Sequence, residues 1–512
     1  MPDRHVDMTW KHVISLLLGA TFTIIYWCIS SNGLQLSLLH TRILENTSLI
    51  HSTINKTRLL PSDNTQYQSQ IKILSSLFPM EMVSVKGKIK GEDIPKNCSK
   101  FPSLLDLKFN NIYWQELLSS AGEILYFLTA YYDNRTLLDV KPVVRIISVF
   151  NQEDLPFVKY CHLWFNKKLV FSNVSSAITT EAFPSKMHMY IITCAIPNHL
   201  RSVIPEAVSL VEHKCDTATN LLQVNHNVPM DGIKKNFAVC VKGLDYPHTD
   251  MSLHLIQWLE LLAILEVDTA YIYVYDIHPN MRSVLEFYEK HGKVKVSPLT
   301  IPGTRPNLYG LVHEFLQKLH NGKEKLVYER IPHNDCFYSN MNMYKYIGIF
   351  DFDEIILPTN GLTWINVIDK SKDVEQNQSN FLNQSPSAYL FRGAIFTDDF
   401  RKGYGWDPDI PYYMSMLQNV YRTPIRKSYT KAILNTEKIL GVSNHSPKKC
   451  IGKCFIYNVP VDIAYIAHFR SSCPKDCRDI IKDTNIWTHK EILSNRVHNM
   501  LVQTGLMNDL IR

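Results

Sequence analysis

Residues 346–358 read Tyr-Ile-Gly-Ile-Phe-Asp-Phe-Asp-Glu-Ile-Ile-Leu-Pro. An apolar run closed by a second apolar run marks a strand buried inside a covered sheet. Between the two runs, Asp351, Asp353 and Glu354 fall within four positions. Carboxylates that close repel one another and call for positive charge among them. A hard divalent cation, Mg or Mn, suits them because it prefers oxygen ligands. If the chain stays extended, Asp351 and Asp353 share one face and Phe352 returns to the core. The competing reading is a solvated acidic turn at the end of a strand.

The surrounding sequence extends this pattern. Strand-like Phe237–Lys242 precedes a helical stretch from Asp250 to Glu266, with Leu253, Ile256, Leu259, Leu262 and Ile264 on or near one face. A strand at Ala270–Tyr275, a helix at Ser283–His291 and a strand at Val294–Leu299 come next. This alternation predicts an α/β fold with a mostly parallel sheet flanked by helices. Ligands of such sheets sit beyond the carboxyl ends of the strands, where Asp276 and Asp351 fall. Residues 95–230 instead carry β-branched and aromatic runs at Ile124–Tyr132, Val143–Phe150, Lys168–Phe171 and Met189–Ile196. They predict a β-rich accessory domain, stapled around Cys161, Cys194 and Cys215. Residues 370–388 are polar and read as an exposed loop, and residues 491–512 as a helical tail.

From Val13 to Thr41 there is no Asp, Glu, Lys or Arg. This predicts a transmembrane signal anchor over residues 13–31, behind a cytosolic tail of residues 1–12. A cleaved signal peptide is the rival reading, but no small-x-small cleavage site follows cleanly. Residues 32–94 are rich in Ser, Thr, Asn and Gln and read as a stem. A single-pass type II protein of the Golgi membrane, with a lumenal body, is expected. Asn-x-Ser/Thr sequons at Asn46, Asn55, Asn97, Asn134, Asn173, Asn377, Asn383 and Asn444 agree with it. Of 11 cysteines, Cys28 lies in the apolar segment, and the even remainder suits disulfides. Cys450, Cys454, Cys473 and Cys477 read as local disulfides or as a zinc site. The net charge of +6 includes no basic block, which argues against nucleic acid as a partner.

Several segments fall into one order: Phe237-Ala-Val-Cys-Val, Gln257-Trp-Leu-Glu-Leu-Leu-Ala-Ile-Leu-Glu-Val-Asp, Tyr271-Ile-Tyr-Val-Tyr-Asp276, Asn334-Asp-Cys336, Phe350-Asp-Phe-Asp-Glu354, Arg426-Lys-Ser428 and Ala467-His-Phe-Arg470. Together they resemble glycosyltransferase family 92 over roughly residues 236–480. Upstream, Ala130-Tyr-Tyr-Asp-Asn-Arg135 is similar to the accessory region of animal members. The resemblance implies a GT-A fold over residues 231–490, a nucleotide-sugar donor and a divalent metal, Mn(II) or Mg(II). It also implies inverting transfer of galactose from UDP-galactose, in animal members onto the fucose of N-glycan cores. The chain departs from the family at Glu266, where many members carry Gly in a Leu-Gly-Val turn.

On this basis Asp351 and Asp353 are expected to hold the metal on the donor diphosphate. Glu354 either orients a ligand or caps the next segment of chain. His468 is the candidate third ligand, with His445 as rival. Lys427 and Arg470 can meet phosphate oxygens. Asp276 is a candidate for uracil or ribose, or a turn residue. Inverting transfer needs a base for the acceptor hydroxyl, and Asp399, with Asp398 beside it, is the candidate. Tyr404 and Trp406 can stack on an acceptor sugar, although aromatic residues more often belong to the core. Asp335 beside Cys336 reads as structural. Three other readings stay open: a transferase using a different UDP-sugar, a non-catalytic glycan-binding protein of the secretory pathway, and a metal-dependent hydrolase. The last would need more clustered ligands. A homo-oligomer is compatible with all of them.

Overall fold

The computed structural model describes residues 98–139, 142–152, 157–179, 187–319, 323–378, 385–399, 407–473 and 479–507, all within one compact unit. The predicted cytosolic tail, anchor and stem all lie outside the described residues. Among the described residues, no helix is long and apolar enough to cross a membrane.

The first part is strand after strand: β1 (Gln115–Leu118), β2 (Ile124–Asp133), β3 (Val143–Phe150), β4 (Tyr160–Phe165), β5 (Lys168–Thr179), β6 (His188–Ala195), β7 (Ala207–Val211) and β8 (Leu222–Asn225). They run in the order β1-β2-β3-β6-β5-β4-β7-β8, and β8 returns to pair with β2. The β-rich region is therefore a closed seven-stranded barrel with β1 as an outer flap. An odd ring cannot alternate direction all the way round, so one pair must be parallel. That pair is β2/β8, through Ala130↔Val224 and Tyr131↔Asn225. Closure leaves no free edge among the seven strands. Cys161–Cys194 and Cys98–Cys215 are disulfides of this region.

The second part begins with β9 (Lys235–Tyr246), α1 (Ser252–Ile264), β10 (Thr269–Ile277), α2 (Pro279–Lys290), β11 (Val294–Pro298), α3 (Leu311–Lys318), α4 (Lys323–Asn340), β12 (Tyr344–Phe350), β13 (Glu354–Pro358) and α5 (Trp364–Gln378). It continues with β14 (Ala388–Thr397), α6 (Ser415–Gln418), β15 (Tyr421–Arg422), β16 (Arg426–Asn435), β17 (Ile439–Val442), β18 (Pro447–Cys450), β19 (Ile456–Asn458), β20 (Ala464–Arg470), β21 (Ile481–Lys482) and α7 (Lys490–Gln503). The large sheet runs β11-β10-β9-β12-β16-β14-β15-β21, with β13, β19 and β20 branching from it.

The expected α/β fold with a mostly parallel sheet is not what forms. β11, β10, β9 and β12 make one parallel block, and β14 also runs parallel to β19 and β20. From β12 onward the sheet is mixed, because β16 meets both β12 and β14 antiparallel and β13 meets β20 antiparallel. A parallel neighbour needs a crossover of a dozen or more residues, usually a helix. The strand–helix alternation supplies these only as far as β12. Beyond it β13 follows after three residues, and strands dominate. With the barrel, the protein is strand-rich.

Four helices, α3 to α6, have no counterpart in the sequence pattern. Pro332 inside α4 reads as a breaker in sequence but is tolerated within the helix. The polar stretch expected as a loop from residue 370 is helical as far as Gln378. Helix α1 buries Leu255, Ile256, Trp258, Leu259, Leu261 and Leu262, and α7 adds Leu493, Val497 and Leu501 to the same core.

Barrel and sheet share a core in which Tyr131, Ile147 and Ile191 pack with Cys240, Val327 and Phe337. Buried polar contacts lock them. The Asp335 carboxylate of α4 accepts from Tyr131 and Tyr273 hydroxyls, each at 2.7 Å, and from Thr129. Arg135 pairs with Asp133 and donates to the carbonyls of Thr436 (2.7 Å) and Ile439 (2.5 Å). Cys336 is bridged to Cys240, tying α4 to β9.

Candidate functional site

A cleft opens at the carboxyl ends of β9, β10 and β12, three adjacent parallel strands. Its wall is the end of β9 from Val241 to Tyr246, Tyr275 of β10, residues of α3 and α4, and the turn Asp351-Phe352-Asp353. Four carboxylates (Asp245, Glu329, Asp351, Asp353) and two lysines (Lys242, Lys325) face it, which leaves two negative charges in excess.

The acidic motif is a tight turn rather than a continuing strand. The Glu354 amide donates to the Asp351 carbonyl at 3.0 Å. Phe352 is buried, edge-on to Tyr246 and His254. Trp258 donates to the Glu354 carbonyl at 2.8 Å and Trp364 to that of Ile356 at 3.0 Å, so two buried indoles pin the start of β13.

The two aspartates have different partners. Asp351 lies 3.1 Å from the Lys242 ammonium and 3.6 Å from that of Lys431. Burial alone would raise its carboxyl, but Lys242 and then Lys431 outweigh burial and hold it well below the usual range. Asp353 places Oδ2 3.1 Å from Nε2 of His468. Lys431 is fully buried on β16 and also holds Glu354 (2.8 Å) and the Asn444 Oδ1 (2.5 Å). Lys242, at the end of β9, also meets Glu329 at 3.0 Å.

His468 lies within β20, opposite Glu354 in the β13/β20 register. Lys427 and Arg470 are exposed. Asp276 is buried and accepts from the Gly310 amide at 3.1 Å. Its neighbour across the sheet, Asp245, lines the cleft, with Oδ2 3.0 Å from His313 Nδ1 and Oδ1 without a hydrogen bond. Asp398 is half-buried and accepts from Asn419 at 2.8 Å. Asp399 is exposed and accepts from the Cys473 amide at 2.8 Å. His445 is exposed, with Nδ1 2.8 Å from the Thr430 carbonyl. His333 is buried with neither ring nitrogen hydrogen-bonded, and burial pushes it down to about 3. Tyr404 and Trp406 lie outside the described residues. Cys450 is bridged to Cys454 and Cys473 is also disulfide-bonded, so among the described residues none of these cysteines is a free thiolate for zinc, and Cys477 lies outside them.

Lys242, Lys431, Tyr429 and Asp245 escaped the sequence reading. A lysine directly after the buried run Phe237-Ala-Val-Cys-Val was a usable signal, because a cation at that depth needs a partner.

Among the described residues, no group of three His, Cys, Asp or Glu side chains forms a ready metal cage. Asp353 and His468 nevertheless fit a divalent cation. Two ligands about 2.1 Å from one ion, at right angles, stand about 3.0 Å apart, close to the separation here. Magnesium-type sites use one or two carboxylates and complete the shell with water and substrate phosphate. Asp351 fits less well, since its oxygens face two ammonium groups.

Residues 235–504 match the sequence model of glycosyltransferase family 92. The chain belongs to that family. The matched stretch opens on the first residue of β9 and closes one residue after α7, so it takes in the whole large sheet and leaves the barrel outside. As a family 92 glycosyltransferase, the protein uses a sugar donor and a glycan acceptor. No curated protein matches the chain closely enough to count as a relative.

Proposed function

We propose that this glycosyltransferase transfers galactose from UDP-galactose, with inversion and with the help of Mn(II) or Mg(II), to a glycan hydroxyl such as the fucose of an N-glycan core. One observation carries the metal dependence: the cleft holds two more negative than positive side chains. A diphosphate does not enter such a cleft without added positive charge. Asp353 and His468 would hold the cation, which when bound screens the diphosphate and stabilises the departing UDP. Lys242, 27% exposed at the cleft wall, keeps Asp351 neutralised. The choice of galactose and of fucose rests on the resemblance to animal members of the family. The disulfides suit a secretory lumen, the compartment we assign to the catalytic part.

The test is a panel of UDP-sugars offered to the purified full-length chain with defined N-glycan acceptors, with EDTA and after Mn(II) is restored. Galactose transfer that EDTA abolishes and Mn(II) rescues is expected. Transfer indifferent to EDTA sinks the metal. Transfer from another UDP-sugar, with none from UDP-galactose, replaces the donor.

A further inference from the structure

Glu354 does not touch the cleft. It is 2% exposed, yet it holds four polar neighbours. Oε2 meets Lys431 at 2.8 Å and the Asp351 amide at 3.2 Å. Oε1 accepts from the Tyr429 hydroxyl and lies 3.7 Å from Nδ1 of His468. Tyr429 and Lys431 are two residues apart on β16, so strand periodicity brings both to the same carboxylate. The Tyr429 ring also stacks on the His468 imidazole, with centroids 5.3 Å apart and planes at 23°.

A buried Glu–Lys pair is weak ground for stability, since apolar side chains of similar volume often do as well. Its geometry here serves the imidazole. At 3.7 Å the Glu354 oxygen is too far for a hydrogen bond, but its charge favours an N–H rather than a lone pair on Nδ1. Nε2 then presents its lone pair to Asp353 Oδ2, 3.1 Å away. With no proton on Nε2 the two are acceptors facing each other, and a cation between them replaces the hydrogen bond that an Nε2 proton would make.

We propose that Glu354 is a positioning residue for His468. Neutralised by Lys431 and fixed by Tyr429, it sets the ring so that Nδ1 carries the proton and Nε2 is left for the cation shared with Asp353. This rests on the reading that Asp353 and His468 share a divalent ion. Carboxylates that orient a metal-binding histidine change metal affinity when removed, and fold stability need not follow.

The experiment uses the full-length chain. Mn(II) affinity is read by electron paramagnetic resonance, unfolding by a thermal melt, and the ring-nitrogen protonation of His468 by 15N NMR with Mg(II) added. The variants are Glu354→Gln and Glu354→Gln/Lys431→Met. The double variant leaves no lone buried charge if the single one misfolds. Expected are a cooperative melt, Mn(II) affinity weaker by roughly 10–100-fold, and a parent spectrum with the proton on Nδ1. A folded variant that binds Mn(II) within twofold of the parent overturns the assignment, as does a parent ring protonated on Nε2 alone. A parent that binds no Mn(II) overturns the shared cation together with it, so the two failures are told apart.

Discussion

Lys242 stands 3.1 Å from Asp351, an ammonium group where the acidic motif alone suggests a metal. Lys431 approaches the same carboxylate from the opposite strand. Asp353, two residues away, instead faces His468. The two aspartates should therefore fail differently. Asp351→Asn leaves two largely buried lysines short of a partner and should lower stability by about 3 kcal/mol. Asp353→Asn removes a 28% exposed carboxylate, and should cut transfer more than 100-fold while shifting the melting temperature by about a degree. Thermal melts and initial rates on both variants decide. Equal stability losses would contradict the division.

The adjacent acids Asp398 and Asp399 separate in the same way. Asp398 is half-buried, and its charge reaches buried His254, which also feels Asp353 and His468. Asp399 is exposed and holds the Cys473 amide. If either deprotonates the acceptor, Asp398 is the better placed. Asp398→Asn should lower kcat by about 10²-fold or more, the usual scale for a lost general base. Asp399→Asn should cost less than tenfold. Rates at saturating acceptor check this, and the reverse order would return the role to Asp399.

Much of the site was legible where chemistry is local. The pair Asp351 and Asp353 stands out because acids seldom interrupt so apolar a run. The strand–helix rhythm up to β12 gave the parallel block and the position of the cleft at its end. Other features depend on register over long distances. Nothing near Lys431 in the chain says that it, rather than Lys427, turns inward to Asp351 and Glu354, 80 and 77 positions earlier. Barrel closure is equally hidden, because β2 meets β8 only after the strands between them have been laid down. The expectation of a mostly parallel sheet failed because a rhythm read from residues 237–299 was extended past the point where helical crossovers stop.

Asp133 joins the barrel to the sheet through Arg135 and should show in acid stability. Burial would raise its carboxyl, but Arg135 and then Arg145 bring it from 3.8 down to about 2. The folded value is below the unfolded one. The stabilisation is therefore present above about pH 4 and lost as the pH falls through about 2. The shift corresponds to about 2 kcal/mol. Urea titrations at pH 7 and pH 3 should show this part of the loss in the parent. Asp133→Asn, which leaves two buried guanidinium groups without their carboxylate, should be less stable at pH 7 and should lose less between the two values. An unchanged pH dependence in the variant would contradict this.

Glu266, the departure from the family's Gly, carries a positive φ of 64°. It follows the end of α1, where the Val267 amide donates to the Leu262 carbonyl (3.0 Å) and the Glu266 amide to that of Ala263 (3.2 Å). This is the Schellman closure, which favours Gly at that place. A left-handed residue with a Cβ costs roughly 1–2 kcal/mol, partly offset because Gly loses more freedom on folding. Glu266→Gly should therefore stabilise the protein by roughly 0.5–1 kcal/mol. Glu266→Val, β-branched at a positive φ, should destabilise it. Glu266 lies outside the cleft lining, so transfer rates should stay within twofold for both. Thermal unfolding ranks the three chains, and a Gly variant less stable than the parent would show that the Glu266 side chain contributes more than its backbone strain costs.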